Sequence, residues 1–298
     1  MSFFGGEPFL NFKGIKRLLD ASNDFCKENA IRLIADFTTN ATLVAKSHID
    51  YLKDFECHFQ ITLDGDRYMH NSIKNAVNSK GIDTYQKTLD ALKMITDNIS
   101  NRWIALRINF DNRTLLKIDE IIRDVEFLDR QTGYIILKKV WQVKTEEIDV
   151  NMLQSAIQKL FDNRFLVDYY IMPKGCVCFA ERDRQVTVNY DGKVFKCTTI
   201  SSFDDSNSLG SFDLSTGVIQ WNENKMAQWT KDMTTQECKA CKWFPSCWGP
   251  CNRQALAHKG EHICTFEAIN LTNKEYMVYL FKYHLLRNQL THSNTALS

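Results

Sequence analysis

The sequence predicts an α/β chain with a first half of alternating strands and helices, residues 1–165, and a smaller cysteine-rich second half, residues 166–290. Two observations carry that expectation. Short β-rich runs alternate with stretches of helical period throughout the first half, and strands reading as apolar on both faces imply a parallel sheet or part of a barrel. Of the ten cysteines, only Cys26 and Cys57 lie in the first half, and the other eight fall between Cys176 and Cys264.

The strands are expected at residues 2–5, 31–38, 58–63, 103–110 and 134–143. Between them the apolar spacing switches to a helical period. Leu10, Ile15, Leu18 and Leu19 share one helical face, and Tyr85, Leu89, Leu92 and Ile95 a second. Leu115, Ile118, Ile122 and Val125 form a third, and Val150, Leu153, Ile157 and Leu160 a fourth. Asp83 and Asn112 stand where N-caps belong. Past Phe165 short strands and turns take over. The exception is residues 271–289, an amphipathic helix with Tyr276, Tyr279, Leu280 and Tyr283 on its apolar side, expected to pack back on the body of the protein.

Charge and hydropathy exclude several classes of partner. With 37 basic and 36 acidic side chains the net charge is +1, which gives no reason to expect nucleic acid or an acidic membrane surface. No apolar run approaches the roughly 20 residues that span a bilayer. The opening MSFFGGEPFLNFKG lacks a basic region followed by an apolar core, so no signal peptide is expected and the chain reads as cytoplasmic.

In βα folds the chemistry collects where strands end. Gly5-Gly6-Glu7-Pro8 follows the first strand and Thr39-Asn40-Ala41-Thr42-Leu43 the second. The third ends in Thr62-Leu63-Asp64-Gly65, with His70 and Asn71 beyond, and the fourth carries Arg107-Ile108-Asn109. This series resembles the radical S-adenosylmethionine superfamily in its peptide-modifying branch. FFGGEP matches the strand and its Gly-Gly-Glu turn, TTNATL matches T-N-G-x-L, and ITLDGDRYMHN matches S/T-L-D-G…H-D/N. The resemblance implies a partial TIM-like (βα) barrel that binds S-adenosylmethionine. Backbone groups of Gly5 and Gly6 and the carboxylate of Glu7 would meet the cofactor's ammonium, which needs acceptors that glycine lets come close. Thr62 and Arg107 would meet its ribose or carboxylate, with Asp64 lining the same mouth. The chain departs from the pattern at Ala41, Asp66 and Lys74, where glycine, proline and arginine are usual. The superfamily's C-x3-C-x2-C, which holds the catalytic 4Fe–4S cluster, does not occur, and neither Cys26 nor Cys57 has a partner at that spacing. The expectation is an N-terminally truncated chain lacking the barrel's first unit, with Cys26 and Cys57 as ordinary core or surface residues.

The later cysteines follow a restrictive pattern. Between Cys176 and Gly192 lie 15 residues and between Cys178 and Gly192 lie 13, and Gly192 opens a G-x4-C ending at Cys197. Cys238-x2-Cys241-x5-Cys247-x3-Cys251 follows, and Cys264 closes the series. Soft thiolates in fours suit iron–sulfur clusters, although spacing alone does not separate iron from zinc. The series resembles the SPASM domain. That resemblance implies two auxiliary 4Fe–4S clusters, one held by Cys176, Cys178, Cys197 and Cys251 and the other by Cys238, Cys241, Cys247 and Cys264. His258 and His262 lie beside the last cysteines and read as solvated surface residues, with a ligand role as the alternative, while Trp243, Phe244 and Trp248 read as shielding a cluster from water.

Together the resemblances imply a peptide maturase. A 5′-deoxyadenosyl radical formed at a third 4Fe–4S cluster in the intact protein would abstract hydrogen from a ribosomally synthesised peptide. A flavodoxin or ferredoxin would serve as reductant, and Asp66, Asp111 and His70 are candidates for a general base. The given chain is expected to be inactive alone. Two other readings stay open: a non-catalytic iron–sulfur or zinc module that carries electrons or binds a partner, and a sulfatase-maturase-like enzyme acting on a protein.

Overall fold

The computed structural model describes residues 1–74, 81–139, 146–170, 178–230, 232, 234–259 and 261–292. They fall into two compact units, Met1–Tyr169 with the segment from Leu271 onward, and Tyr170–Asn270.

The first unit is built on six parallel strands in sequence order: β1 Ser2–Phe3, β2 Ile34–Thr39, β3 Glu56–Asp64, β4 Arg102–Phe110, β5 Gly133–Lys139 and β6 Val167–Asp168. Seven helices fill the crossovers: α1 Phe12–Glu28, α2 Lys46–Leu52, α3 Arg67–Lys74, α4 Thr84–Asn98, α5 Asn112–Leu116, α6 Ile118–Asp124 and α7 Val150–Asp162. Parallel strands that never reverse order, joined by crossovers of the usual right hand, place every helix on one face of the sheet. The residue rows follow from that. One face carries Phe3, Phe37, Phe59 and Ile104 in register, then Thr39, Ile61, Leu106, Ile135 and Val167, then Leu63, Ile108 and Leu137. These side chains are buried apart from the partly covered Phe3, and Phe37 stacks on Phe3 and Phe59 with ring centroids 5.3 and 5.2 Å apart. The opposite face is polar. Its rows are Asp36, His58 and Trp103; Thr38, Gln60, Ala105 and Tyr134; Thr62, Arg107, Ile136 and Asp168; and Asp64, Asn109 and Lys138.

The expectation of strands apolar on both faces is therefore corrected. Only the helix-covered face is apolar, because a singly wound sheet offers no helix to bury the other. Two helical positions are corrected as well: Leu10 and Leu18 are exposed, and only Ile15 and Leu19 of their set enter the core. The other three apolar sets are buried apart from the partly covered Val150. Asp83 caps α4 by accepting from the Gln86 N–H (2.9 Å). The cap of α5 is Asp111 rather than Asn112, with its carboxylate accepting from the Thr114 N–H (2.9 Å). Strand β5 is described to Lys139, and residues 140–143 of the expected strand lie outside the described residues.

The second unit contains an antiparallel sheet ordered β10, β9, β8, β7, with β7 Thr187–Val188, β8 Lys193–Phe195, β9 Gly210–Asp213 and β10 Val218–Trp221. Short helices follow: α8 Glu223–Trp229, α9 Gln236–Ala240, α10 Phe244–Cys247 and α11 Asn252–Ala257. Ala180, Cys197, Leu209 and Trp229 form one buried cluster of this unit, and Val194, Phe195, Ala255 and Ile269 are buried as well.

The last helix, α12 Asn273–His292, returns to the first unit. The division falls at residues 169 and 170, four residues past the expected boundary, and α12 groups with the first unit instead of the second. Its Tyr279 is buried, and the phenol accepts from the Tyr169 N–H (2.8 Å) while donating to the Val167 C=O (2.7 Å). One hydroxyl thereby satisfies a donor and an acceptor beside β6, the last strand of the sheet. Tyr279→Phe should leave both buried groups unpaired and lower stability by about 1–3 kcal/mol, read as a shift of the urea unfolding midpoint. An unchanged midpoint would show that this bond does not hold the helix.

Candidate active site and cysteine array

The polar ends of β1–β4 are tied together by the residues that stand at them. Glu7 leaves β1 with its carboxylate turned onto the end of β2. Its Oε1 accepts from the Thr39 hydroxyl (2.6 Å) and the Phe9 N–H (3.2 Å), and its Oε2 from the Asn40 N–H (3.0 Å). A carboxylate has about four acceptor positions, so three bonds leave Glu7 little capacity for an outside ammonium. The structure makes this residue a clamp between two strand ends. Gly5, at φ +128°, holds a backbone conformation open to glycine, and both it and Gly6 face open space where a Cβ would stand.

Thr62 and Arg107 lie side by side across β3 and β4, both half-buried on the polar face. The Arg107 Nε donates to the Asn109 Oδ1 (2.9 Å), and the Asn109 Nδ2 donates to the Asp64 Oδ1 (2.6 Å). Lys74 stands 3.0 Å from the other oxygen of Asp64. Burial opposes the charged form of Asp64, but Asn109 and Lys74 outweigh it and hold the carboxyl below its ordinary value. Burial also lowers Arg107 from the usual guanidinium value, with Asp64 opposing.

The three general-base candidates are engaged to different degrees among the described residues. The Asp66 Oδ1 accepts from the Met69 N–H at the start of α3 (3.0 Å). Burial raises Asp111, but bonds from Thr114 and Arg113 bring it below the ordinary range, which suits a cap and weakens a base. His70 is fully buried, and its Nδ1 accepts from the Asp64 N–H (3.1 Å). Burial drives it down to about 4, so it stays neutral with its proton on Nε2, an atom without a hydrogen-bond partner among the described residues.

The cysteine array falls into two neighbourhoods. Cys176 lies outside the described residues. Burial raises the Cys178 thiol, with Cys251 and Cys197 close enough to add to the shift. Hydrogen bonds hold these three segments together. The Asn252 N–H donates to the Glu181 carboxylate (3.0 Å), the Asn252 side chain to the Trp229 C=O (2.7 Å), and the Trp229 indole to the Ala180 C=O (3.2 Å). The nearly buried Lys196, next to Cys197, donates to the Arg182 and Asp183 carbonyls (2.9 and 2.8 Å). In the second neighbourhood Cys238 and Cys241 close a turn on α9, and a Cβ at Gly249 would lie 3.7 Å from the Cys238 sulfur. The Cys247 thiol points at the Gly249 C=O (4.0 Å). Trp243 stacks on Phe266 at 4.7 Å, joining the segments of Cys241 and Cys264. His262 is exposed, and its Nδ1 lies 3.0 Å from the Thr235 hydroxyl and 3.7 Å from the Cys238 sulfur.

The sulfurs suit a soft metal. All nine described cysteines are free thiols. Three receive a backbone N–H from two residues ahead: Ala180 to Cys178, Thr199 to Cys197 (3.3 Å) and Trp243 to Cys241 (3.5 Å). Such bonds favour thiolate over thiol and tune a bound cluster. Among the described residues no three His, Cys, Asp or Glu side chains converge closely enough to hold a metal ion.

No family model matches the chain. It is 23% identical over 286 residues to the cysteine-type anaerobic sulfatase-maturating enzyme of Clostridium perfringens, covering 85% of this chain and 73% of that protein. It is 27% identical over 105 residues to the radical SAM cyclopropyl synthase TigE of Paramaledivibacter caminithermalis, 35% of this chain and 20% of that one. Among solved structures, native anSMEcpe with bound AdoMet matches with a TM-score of 0.64 at 19% identity, covering 97% of this chain and 83% of that one. Streptococcus suis SuiB bound to S-adenosylmethionine gives 0.55 at 16% identity, covering 88% and 64%. The chain resembles the radical S-adenosylmethionine/SPASM enzymes.

Within a fold of the radical S-adenosylmethionine type, several residues join the strand-end network that motif reading left without a role. Thr39, Asn40 and Asn109 bind other side chains there, and Glu181, Lys196, Trp229 and Asn252 frame one cysteine group. A signal for the first set was present: over Cys57-His58-Phe59-Gln60-Ile61-Thr62-Leu63-Asp64 apolar and polar residues alternate strictly, which marks a strand with one wet face.

His70 gives this region a pH signature. From about pH 6.5 down to about 4 the unfolded chain binds a proton that the folded chain refuses, so stability falls as pH falls through that window, by at most about 3 kcal/mol. Urea midpoints should drop between pH 7 and pH 4 in the wild type and drop less in His70→Asn, whose amide oxygen keeps an acceptor for the Asp64 N–H. Equal slopes in the two proteins would remove His70 as the source.

Proposed function

We propose that the chain serves a radical S-adenosylmethionine enzyme that modifies a peptide or protein, with the polar sheet face as its cofactor site and the cysteine-rich unit as carrier of two auxiliary 4Fe–4S clusters. The observation that carries this reading is the wet face of the sheet, whose strand ends bring Gly5, Gly6, Thr62 and Arg107 to one region of a fold shared with S-adenosylmethionine-bound structures. Bound S-adenosylmethionine and its cluster would supply one-electron cleavage and a carbon radical. The C-x3-C-x2-C that would supply that cluster's thiolates does not occur in these 298 residues.

The chain's own residues bind and orient. The backbone at Gly5 and Gly6 offers carbonyls to an ammonium, and Glu7 keeps that turn against β2. Arg107 offers a fixed cation to a carboxylate, and the Thr62 hydroxyl beside it can donate or accept at a ribose or carboxylate oxygen. In the second unit Cys176, Cys178, Cys197 and Cys251 would hold one cluster and Cys238, Cys241, Cys247 and Cys264 the other. With all ligands supplied by protein, electron transfer from a substrate radical is the role that fits them, and a flavodoxin or ferredoxin is the reductant class. The substrate is a ribosomally synthesised peptide. A protein substrate is the second reading, favoured by the sulfatase-maturating relative that aligns with most of the chain.

Anaerobically reconstituted protein should carry about eight iron and matching sulfide. Two zinc ions without sulfide would remove the radical reading in favour of a zinc module. Cys241→Ser should lower iron to about four per chain and destabilise the cysteine-rich unit, measured by iron assay and limited proteolysis. Full iron in that variant would take Cys241 out of the ligand set.

A further inference from the structure

Arg107 has five N–H donors on a long flexible stem, yet one orientation is selected for it. Its Nε is occupied by the Asn109 Oδ1 (2.9 Å), while its two Nη groups have no hydrogen-bond partner among the described residues. The Asn109 amide is fixed in turn, because its NH2 faces the Asp64 carboxylate (2.6 Å) and its oxygen must therefore face the guanidinium. Asp64 is the anchor of this relay. Its N–H is held by His70 (3.1 Å), its second oxygen by Lys74 (3.0 Å), and its backbone by the turn at Gly65. Gly65 has φ +83°, and a Cβ there would meet Thr114 Oγ1 at 2.9 Å and Met69 Cβ at 3.0 Å, so the turn accepts glycine alone.

We propose that Asn109 is a positioning residue, which with Asp64 locks the Arg107 guanidinium so that both Nη groups present a ready fork to a ligand carboxylate. The inference rests on the reading of Arg107 as a carboxylate partner and adds what sets that group's direction. Register puts Arg107 beside Thr62 and Asn109 beside Asp64 on the same wet face, so the relay runs from the end of β3 to the binding region without leaving the sheet. An arginine held by its Nε gives up little further freedom on binding, while a loose one must be ordered by the ligand.

The test compares two ligands differing only in the carboxylate: S-adenosylhomocysteine and its descarboxy analogue, 5′-deoxy-5′-(3-aminopropylthio)adenosine. Each is titrated calorimetrically into anaerobically reconstituted wild type, Asn109→Ala and Asn109→Ser, the last a polar replacement in case alanine does not fold. Wild type should prefer the carboxylated ligand. The variants should lose about tenfold in affinity for it and less than twofold for the analogue. Equal losses on both ligands, or none on either, would overturn the positioning role while leaving Arg107 as carboxylate partner. A wild type that binds both ligands equally would overturn the reading of Arg107 itself, and the proposal with it.

Discussion

A parallel sheet wound in one direction hides only one of its faces. The seven crossover helices of the first unit lie on that side, packed over Phe37, Phe59, Ile61, Leu106 and their neighbours, and no crossover helix covers the far side. Polar side chains on that far side need no apolar cover. The same winding brings the C-terminal ends of all the strands to one edge, so Glu7, Thr39, Thr62, Asp64, Arg107 and Asn109 need no insertions to meet. Thr62, Asp64, Arg107 and Asn109 are wet-face neighbours by register, with Asp64, Asn109 and Arg107 joined by hydrogen bonds, while Glu7 beyond β1 binds Thr39, whose side chain lies on the helix-covered face.

The cysteine-rich unit solves a different problem with less apolar material. Hydrogen bonds from Glu181, Lys196, Trp229 and Asn252 bring distant parts of the chain together around Cys178, Cys197 and Cys251. Around Cys238, Cys241, Cys247 and Cys264 the contacts are a helical turn, a close glycine and one ring stack. The first group is the more completely built from protein alone.

Most of the architecture was legible in residue patterns. Five of the six strands follow from β-rich runs, and the helices from sets such as Tyr85, Leu89, Leu92 and Ile95, because burial of one stripe drives both. Strand β6, two residues long, carries too little pattern to be seen. The wet face was misread because Ile34, Ala35 and Phe37 of β2, or Ile104, Ala105 and Leu106 of β4, look continuously apolar until the alternation in β3 is extended to its neighbours. Motif positions such as Glu7 and Arg107 could be found, but their partners could not. Nothing local tells that Glu7 will spend its carboxylate on Thr39 and Asn40, thirty-odd residues away, or that Asn109 will mediate between Arg107 and Asp64. Leu10 and Leu18 misled in the opposite direction, since helical period alone does not say how much of a stripe a neighbour covers.

The phenol of Tyr279 has a consequence for behaviour in concentrated solution. The ladder of β6 ends against its own chain's side chain instead of in water, so a second molecule arriving at that border finds the local amide and carbonyl already taken. Strand-to-strand stacking of copies is blocked there by a single oxygen atom, and the safeguard lasts only as long as the final helix stays docked. Loss of that helix by proteolysis or early chain termination would turn a finished rim into an adhesive one.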